Sequence, residues 1–259
     1  MKGPPTIIRN NQTFYTCYQQ LKTNDIVCGR IRMKPGEEHL LTDLLERGIR
    51  LVPSASSQLA SRSKTFQARI FSDFMLPGTL PIYDTHALLS ASSVYRQKQF
   101  TRVILKCDRK NAGMGVHIFN TIEDLYNHAS NGSFVFPFVI QPYHSKSRDI
   151  RVIILGDYLE AYERINPYNF RKNLHCGGDS KPFALSRKQL EFCKRVMQRG
   201  DFPYAHLDLI LTSDGNYHLM EINLRGGLKG AIISGKEYQV KLDKILEELL
   251  LQLQGTLKN

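Results

Sequence analysis

Residues 206–223, HLDLILTSDGNYHLMEIN, consist of two apolar runs on either side of a short polar segment. The dipeptide Asp214-Gly215 is a strong signal for a two-residue turn between antiparallel strands. With those two residues in the turn, the pairing puts Asp208 directly opposite Glu221. The stretch therefore predicts a β-hairpin that carries two carboxylates side by side.

The two faces of this predicted hairpin differ in polarity. Because side chains alternate between faces along a strand, Asn223 shares the face of Asp208 and Glu221. Carboxylates at cross-strand distance repel each other, and a hard divalent cation held by oxygen ligands removes that repulsion. We therefore predict a metal site for Mg²⁺, or alternatively Mn²⁺, at these three residues; two solvated surface carboxylates are the other interpretation. The opposite face is predicted to pack on the core through Leu207, Leu209, Leu211, Met220 and Ile222.

A second informative segment is 103–116, VILKCDRKNAGMGV. A predicted strand presents Lys106, and the loop that follows contains Gly113 and Gly115. Glycines allow backbone N–H groups to approach a phosphate closely, although an ordinary hairpin loop has the same composition. The sequence contains neither GxxxxGK[ST] nor GxGxxG, which argues against a P-loop and against a Rossmann dinucleotide site.

Two basic segments complete the candidate site. Residues 171–178, RKNLHCGG, place cationic and amide side chains ahead of two glycines. Such groups suit multidentate binding of phosphate or carboxylate, and a solvated basic loop is the alternative. Asp149 and Arg151 lie two residues apart at the start of a predicted strand. They share a face and could form a salt bridge with each other.

The rest of the chain predicts an α+β protein. Residues 25–31 and 49–52 read as parallel strands around an amphipathic helix at 37–47, and the serine-rich stretch 54–63 reads as a boundary. Beyond it, strands and helices mix with several short hairpins, which indicates α+β rather than a doubly wound sheet. The predicted strands are 102–106, 116–119, 134–141, 150–155, 158–164, 206–211 and 217–223, and the predicted helices are 64–75, 121–129, 186–198 and 236–254.

The composition limits the classes of protein. Thirty-five Lys and Arg against 24 Asp and Glu give a formal charge of +11, which favours an anionic partner such as nucleotide, acidic peptide or nucleic acid, or a basic protein without one. Five cysteines without a CxxC motif predict reduced thiols and a cytoplasmic location. No apolar stretch approaches the roughly 20 residues that span a bilayer, so no membrane partner is expected.

In this order the segments resemble the ATP-grasp superfamily and, within it, the RimK-like carboxylate–amine ligases related to glutathione synthetase. The resemblance covers residues 61–235 and is carried by FVIQPY, DIRVIILGDYLEAYER, FRKNLHCGG, HLDLIL and LMEIN. It implies a short β-α-β domain at 1–60 and an ATP-grasp domain at 61–259, in which two α+β subdomains sandwich ATP. The smaller subdomain, at about 61–143, would carry a lid, and the subdomain at 144–259 would bind the metal.

The resemblance also implies a role for individual residues. The metal ligands would again be Asp208, Glu221 and Asn223. The residues that bind ATP would be Lys64, Lys106 and Lys172 at the phosphates, Gly113, Met114 and Gly115 over the β- and γ-phosphates, Gln141, Pro142 and Tyr143 at the adenine, and Asp149 near the nucleotide. The residues that stabilise the acyl-phosphate or line the substrate side would be Arg151, Arg164, Arg171 and Asn173.

The activity implied is ATP- and Mg²⁺-dependent joining of a carboxylate to an amine through an acyl-phosphate. The substrates would be small molecules, amino acids, or a peptide or protein terminus, and a homo-oligomer is left open. The alternatives are a phosphotransferase acting on a hydroxyl and a non-catalytic basic protein that binds nucleotide or nucleic acid. The sequence departs from the family at Cys107 and Gln141, and Arg225 adds a cation near the substrate.

Overall fold

The computed structural model describes residues 4–110 and 113–256, beginning with a parallel sheet. Its three strands lie in the order β1-β2-β3 and all run parallel, which confirms the predicted parallel pairing around α2. Leu41 and Leu44 on one side of α2 are buried against this sheet. The elements are β1 (Ile7–Ile8), α1 (Asn11–Cys17), β2 (Ile26–Cys28), α2 (His39–Glu46) and β3 (Arg50–Val52).

The serine-rich stretch forms helix α3 (Ala55–Ala60), and its last serine caps the next helix, α4 (Lys64–Ile70). Each begins with a serine whose side chain accepts a hydrogen bond from the backbone of its first turn. Gln58 is buried and joins α3 to the first sheet, because its Oε1 accepts from the N–H of Ile31 at 2.9 Å. The predicted boundary is therefore a packed helical segment.

A four-stranded antiparallel sheet follows, in the order β4-β7-β5-β6. Helix α5 was not predicted by the sequence analysis. Its N-terminus is capped by the Asp84 carboxylate, and Leu88 and Tyr95 on one face of the helix are buried. Together with α6, it packs on the sheet around Phe138 and Leu105. The elements are β4 (Leu80–Ile82), α5 (Thr85–Gln97), β5 (Val103–Cys107), β6 (Val116–Phe119), α6 (Ile122–Ser130) and β7 (Phe138–Pro142).

The largest sheet has five antiparallel strands in the order β10-β9-β8-β11-β12. Helices α7 and α8 pack on it through Val196 and Leu242, which are buried with Val152 and Leu207. The elements are β8 (Arg148–Leu155), β9 (Tyr158–Ile165), β10 (Asp179–Pro182), α7 (Arg187–Gly200), β11 (Tyr204–Leu211), β12 (Tyr217–Asn223) and α8 (Gly235–Thr256). Mixed helices and separate sheets confirm the predicted α+β class.

The hairpin of β11 and β12 has a longer turn than predicted. The N–H of Thr212 donates to the carbonyl of Asn216 at 2.9 Å, so residues 213–215 form a three-residue loop. Gly215 adopts φ +85 there, a left-handed conformation that glycine accepts without strain. The predicted two-residue turn is wrong.

A β-bulge restores the predicted pairing of the carboxylates. The register shifts between Asp208 and Leu209: Leu209 pairs with Leu219, whereas Asp208 pairs with Glu221. Met220 is the extra residue and lines a cavity instead of the core, while Leu219 is fully buried. The predicted core position of Met220 is therefore wrong, because a bulge adds one residue to the alternation.

A membrane-spanning helix is not found in residues 4–110 and 113–256, because none of their helices combines the necessary length and apolarity.

Candidate active site

A cavity of about 450 Å³ lies between the four-stranded and five-stranded sheets. It contains nearly all the residues that the sequence analysis selected, although these come from positions 64 to 223. The predicted residues that line it are Lys64, Lys106, Gly113, Gln141, Pro142, Tyr143, Asp149, Arg151, Arg164, Arg171, Lys172, Asn173, Asp208, Glu221 and Asn223.

The predicted metal ligands stand together on one wall of this cavity. Asp208 and Glu221 are Cα partners across β11 and β12, and Asn223 is two residues beyond Glu221. The amide Nδ2 of Asn223 donates to Glu221 Oε1 at 3.1 Å, which leaves the amide oxygen for another partner. Lys64 Nζ lies 3.4 Å from the same Oε1.

Two arginines neutralise the acids on this wall. Arg151 donates through both Nε and Nη2 to the Asp208 carboxylate, with Nη2 to Oδ2 at 3.0 Å. Arg164 joins two acids, since its Nε donates to Asp149 Oδ1 at 2.7 Å and its Nη2 lies 3.1 Å from Asp208 Oδ2. The suggested pair of Asp149 with Arg151 is wrong: cross-strand neighbours pair instead, because the register sets Arg151 beside Asp208 and Arg164 beside Asp149.

This network sets the charges of the acids. Burial alone would raise the pKa of Asp208, but the guanidinium groups of Arg151 and Arg164 outweigh it and hold the pKa below its usual range. Burial raises the pKa of Asp149, and Asp208 adds to that effect, while Arg164 opposes it. Asp208 is therefore ionised at neutral pH and acts as a permanent oxygen donor.

The donor set fits a magnesium ion that is also held by phosphates and water. No cluster of three or more His, Cys, Asp or Glu side chains in the described residues is arranged to hold a metal. The protein thus offers two carboxylates and one amide oxygen. Asp208 Oδ2 is already held by both Arg151 and Arg164, whereas Asp208 Oδ1 accepts from Arg151 alone and keeps a lone pair. Mg²⁺ is typically bound by one or two carboxylates, with waters and substrate phosphates as its other ligands.

Two lysines from other elements reach the acidic wall. Lys106 on β5 is half-buried, and its Nζ is 3.5 Å from the carbonyl oxygen of Met220. Burial lowers the pKa of Lys106 to about 8, against the opposing attraction of Glu221. Lys64 is buried at the start of α4 and donates to the carbonyl of Lys110 at 2.6 Å. Both ammonium groups are thus positioned by the backbone of other elements.

The glycine loop touches the opposite side of the cavity at one residue. Gly113 adopts φ +76, and a Cβ there would lie 2.5 Å from Asn173 Nδ2, so only glycine fits without displacement. Gly115 packs against Lys110 instead, and the side chain of Met114 is 77% exposed. Neither Met114 nor Gly115 lines the cavity, while Asn111 and Ala112 of the same loop lie outside the described residues.

The basic segment after β9 closes the cavity between the sheets. Arg171 donates to the carbonyl of Val116 at the start of β6, and its guanidinium carbon lies 4.3 Å from the ring centroid of Phe170. Lys172 donates to the carbonyl of Ser147 just before β8. These contacts connect the segment to both antiparallel sheets, so it is not the solvated basic loop of the alternative interpretation.

Gln141 on β7 leaves an unused acceptor at the far end of the cavity. Its Nε2 donates to Thr79 Oγ1 at 2.8 Å, while its Oε1 is buried and has no hydrogen-bond partner in the described residues. The N–H of Tyr143 donates to the carbonyl of Arg102 at 3.0 Å. A buried unpaired acceptor is destabilising, so this oxygen suits a ligand with an N–H donor.

Sequence reasoning missed several residues of the wall. Arg30 follows strand β2 of the parallel sheet and was not selected, although the carboxyl ends of parallel strands commonly bind ligands. Arg225 was noted only as a departure from the family. Other lining residues that were not selected are Ser61, Lys110, His144, Tyr162, His175 and Lys229.

The fold is that of the ATP-grasp proteins. The structure is similar to that of the D-alanine–D-alanine ligase from Coxiella burnetii, with a TM-score of 0.62 and 15% identity, over 90% of this chain and 71% of that one. It is also similar to the ATP-grasp ligase PsnB, solved with a phosphomimetic variant of its minimal precursor, Mg and ADP. That likeness has a TM-score of 0.55 and 18% identity, and covers 82% of this chain and 67% of that one.

The sequence comparison is more specific. Residues 90–249 match the RimK-like ATP-grasp domain, and the chain belongs to that family. A relative is the coenzyme gamma-F420-2:alpha-L-glutamate ligase of Methanococcus maripaludis, 26% identical over 155 residues. That match covers 58% of this chain and 52% of the relative, so the chain spans about half the length of this curated relative.

Proposed function

We propose that this chain is a ligase that joins a carboxylate to an amine with ATP and Mg²⁺. One observation carries the proposal: Asp208 faces Glu221 in a cavity that the ammonium groups of Lys64 and Lys106 also enter, with Lys64 Nζ 3.4 Å from Glu221 Oε1. A magnesium–nucleotide complex requires acids that bind the metal ion and nearby cationic side chains that bind the phosphates.

The metal would be held by Asp208, Glu221 and Asn223. When bound there, Mg²⁺ supplies Lewis-acid stabilisation of the phosphate oxygens, and Mn²⁺ is the natural substitute to test. Lys64 and Lys106 balance the charge of the phosphates, and the glycine loop at Gly113 covers them. The unpaired Oε1 of Gln141 supports adenine at the far end, because the adenine amino group is an N–H donor.

The proposed chemistry asks the protein to position groups and balance charge. An oxygen of the substrate carboxylate attacks the γ-phosphorus, the bond to the bridging oxygen breaks, and ADP leaves. The amine nitrogen then attacks the acyl carbon, phosphate leaves, and the amine gives up a proton to water. Arg151 and Arg164 are fixed by Asp208 and Asp149, so their charge is in place before phosphate charge shifts.

The substrates are proposed from the relatives. The name of the Methanococcus relative specifies glutamate, and the PsnB complex contains a precursor peptide variant, so amino acids and peptide termini are the first acids and amines to test.

The thiols of Cys17, Cys28, Cys107 and Cys193 are free, which supports a reducing compartment such as the cytoplasm.

The test is an ADP-release screen with Mg²⁺, ATP and pairs of amino acids or peptides. The expected result is ADP formation that needs both substrates, and a product lighter by one water than their sum in mass spectrometry. Hydroxylamine added in place of the amine should give a hydroxamate, since only an acyl-phosphate reacts in this way. A stable phosphorylated hydroxyl product would favour the phosphotransferase, and nucleotide binding without any turnover would contradict both reactions.

A further inference from the structure

A second cavity of about 220 Å³ adjoins the candidate active site. It lies between the parallel sheet, the segment after β12 and helix α8. Arg30 and Arg225 line both cavities, so this pair stands in the wall between them. The interior of the second cavity also has apolar walls, which include Phe14, Leu224, Leu242 and Leu246.

The two arginines converge from distant parts of the chain. Arg30 follows β2 directly after Gly29, whose φ of +128 turns the chain at the carboxyl end of the parallel strand. Arg225 follows β12, the strand that carries Glu221 and Asn223. The pair therefore combines a residue of the N-terminal domain with one that follows the strand that would hold the metal.

In the part of the chain that the structure describes, neither arginine has an acidic partner. Among residues 4–110 and 113–256, no ion pair or side-chain hydrogen bond satisfies Arg30 or Arg225, whereas Arg9 in the same cavity is paired with Glu247. The carboxylate of Asp243, also in this wall, accepts instead from Gln239 Nε2 at 2.8 Å.

Most of the charged groups that act on Arg30 are positive, with Tyr204 as the opposing influence. Burial lowers the pKa of Arg30, and the neighbouring guanidinium of Arg225 is the next largest cause, followed later by Arg32 and Arg62. Like charges brought together without an acid destabilise the folded chain, and an anion bound between them relieves that repulsion. Arg30 is half-buried and Arg225 is exposed, so a ligand can reach both guanidinium groups.

We propose that Arg30 and Arg225 form a subsite for an anionic group of the substrate, a carboxylate or a phosphate, that takes no part in the new bond. This inference rests on the proposed ligase function and narrows the substrate class to molecules with a second anion. A planar guanidinium binds either anion through two parallel hydrogen bonds, which gives both affinity and orientation. The apolar walls of the second cavity accommodate the carbon part of the substrate.

The experiment measures binding of simple anions to the full chain by calorimetry, with and without Mg²⁺ and ADP. The probes are the dicarboxylates succinate, glutarate and adipate, the monocarboxylate butyrate, and inorganic phosphate. We expect at least one dicarboxylate or phosphate to bind, and the variants Arg30→Gln and Arg225→Gln to weaken that binding by about tenfold or more. Arg225→Lys keeps the charge but loses the two-point contact, so its affinity for the probe should lie between those of the glutamine variants and the wild type.

The matched control is Arg50→Gln, an exposed arginine on β3 of the same parallel sheet, which should bind the probes as the wild type does. A second measurement separates a ligand site from a structural role. Because Arg225 is exposed, Arg225→Gln should leave the melting temperature of the protein alone near that of the wild type and lose the rise that the bound anion gives.

The results distinguish the subsite from the proposed function. Loss of dicarboxylate binding identifies a carboxylate subsite, and loss of phosphate binding identifies a phosphate subsite. The proposal is overturned if the wild type binds none of the probes, or if both glutamine variants bind them as tightly as the wild type. Failure of the wild type to bind ADP would instead count against the proposed function, since the anions are also measured without nucleotide.

Discussion

Asp208 and Glu221 are direct cross-strand partners even though the ladder of β11 and β12 changes register next to them. Counted from the turn, the regular pairing continues to Leu209 and Leu219. Met220 then has no cross-strand partner, and the next pair is Asp208 with Glu221. A bulge also re-aims side chains locally, so Met220 joins the acids at the cavity instead of the core. The acids face each other because of the irregularity in this ribbon.

The substitution Glu221→Gln should abolish turnover and leave the fold intact. The amide has the same shape and can still accept from Asn223, but it removes the negative charge that we propose holds Mg²⁺. We expect ADP release to fall by about a hundredfold or more, with a cooperative melting curve that shows the fold is retained. Glu248→Gln, which removes only an exposed pair with Lys244 at 3.9 Å, is the control. Wild-type ADP release by the Glu221 variant would rule out the metal assignment.

The loss of Arg164 should destabilise the protein strongly. This side chain is 8% exposed and is shared by Asp149 and Asp208, so Arg164→Gln leaves two acids facing each other without it. We expect a decrease of about 3–5 kcal/mol in the free energy of unfolding, measured by urea denaturation. The double variant with Asp149→Asn should recover part of the lost free energy of unfolding, because it removes one of the two acids.

Arg148→Gln is the matched control for that experiment. Arg148 also pairs with an acid of β9, Glu163 at 2.6 Å, but its side chain is 50% exposed. Glu163 is buried, but Lys181 Nζ lies 3.3 Å from its Oε2, so this acid keeps an ion pair when Arg148 is replaced. An exposed arginine in such a pair contributes about 1 kcal/mol or less, so this variant should unfold at nearly the wild-type urea concentration. Equal decreases in the free energy of unfolding for the Arg148 and Arg164 variants would show that the buried network contributes no more to stability than the exposed pair.

The sequence predicts which residues form the acidic wall better than it predicts the backbone conformation that brings them together. Alternation and the turn signal at Asp214 identify Asp208 and Glu221 as partners, yet the real loop is one residue longer and the bulge compensates for it. Neither feature has a composition signal strong enough to be recognised alone, since one bulged residue looks like any other strand residue. The correct pair therefore resulted from two errors that cancel.

Other parts of the site lie beyond single-sequence reasoning. Helix α5 was missed because its buried face includes Ala91 and Ser92, which weakens the apolar periodicity. Arg30 was missed because the predicted strand 25–31 includes it, whereas β2 ends at Cys28 and leaves Arg30 at its carboxyl end; only the three-dimensional arrangement sets it beside Arg225. Likewise, Arg164 pairs across strands, which the local spacing of Asp149 and Arg151 does not indicate.

The contact of Gly113 with Asn173 should make the glycine loop sensitive to a single methyl group. Gly113→Ala adds a Cβ 2.5 Å from Asn173 Nδ2 on top of the left-handed backbone, which costs roughly 1–2 kcal/mol by itself. We expect weaker ADP binding, measured by calorimetry, because the loop must move from the cavity. Gly132→Ala has nearly the same φ, +75, and nothing within 4 Å, so it should lose a similar stability without affecting ADP binding. Equal ADP binding by both variants would exclude a phosphate-covering role for this loop.

The lowered pKa of Lys106 predicts how nucleotide affinity depends on pH. Burial brings that pKa to about 8, so the free protein loses this ammonium charge as the pH rises through that value. Below it, the charged lysine destabilises the folded state, and that penalty fades as the pH rises towards the usual lysine range. ADP binds the charged form, so its affinity should fall between about pH 7.5 and 9.5, where the phosphates are already fully ionised.

The measurement is a calorimetric titration with ADP across this range, with EDTA present so that no divalent cation changes the charge at the acids. Lys106→Met should bind weakly at every pH and show no such decline, because the titrating group is gone. The wild-type affinity should approach that of the variant at the alkaline end. If the two curves instead stay parallel, another group titrates, and Lys106 is not the phosphate contact that we propose.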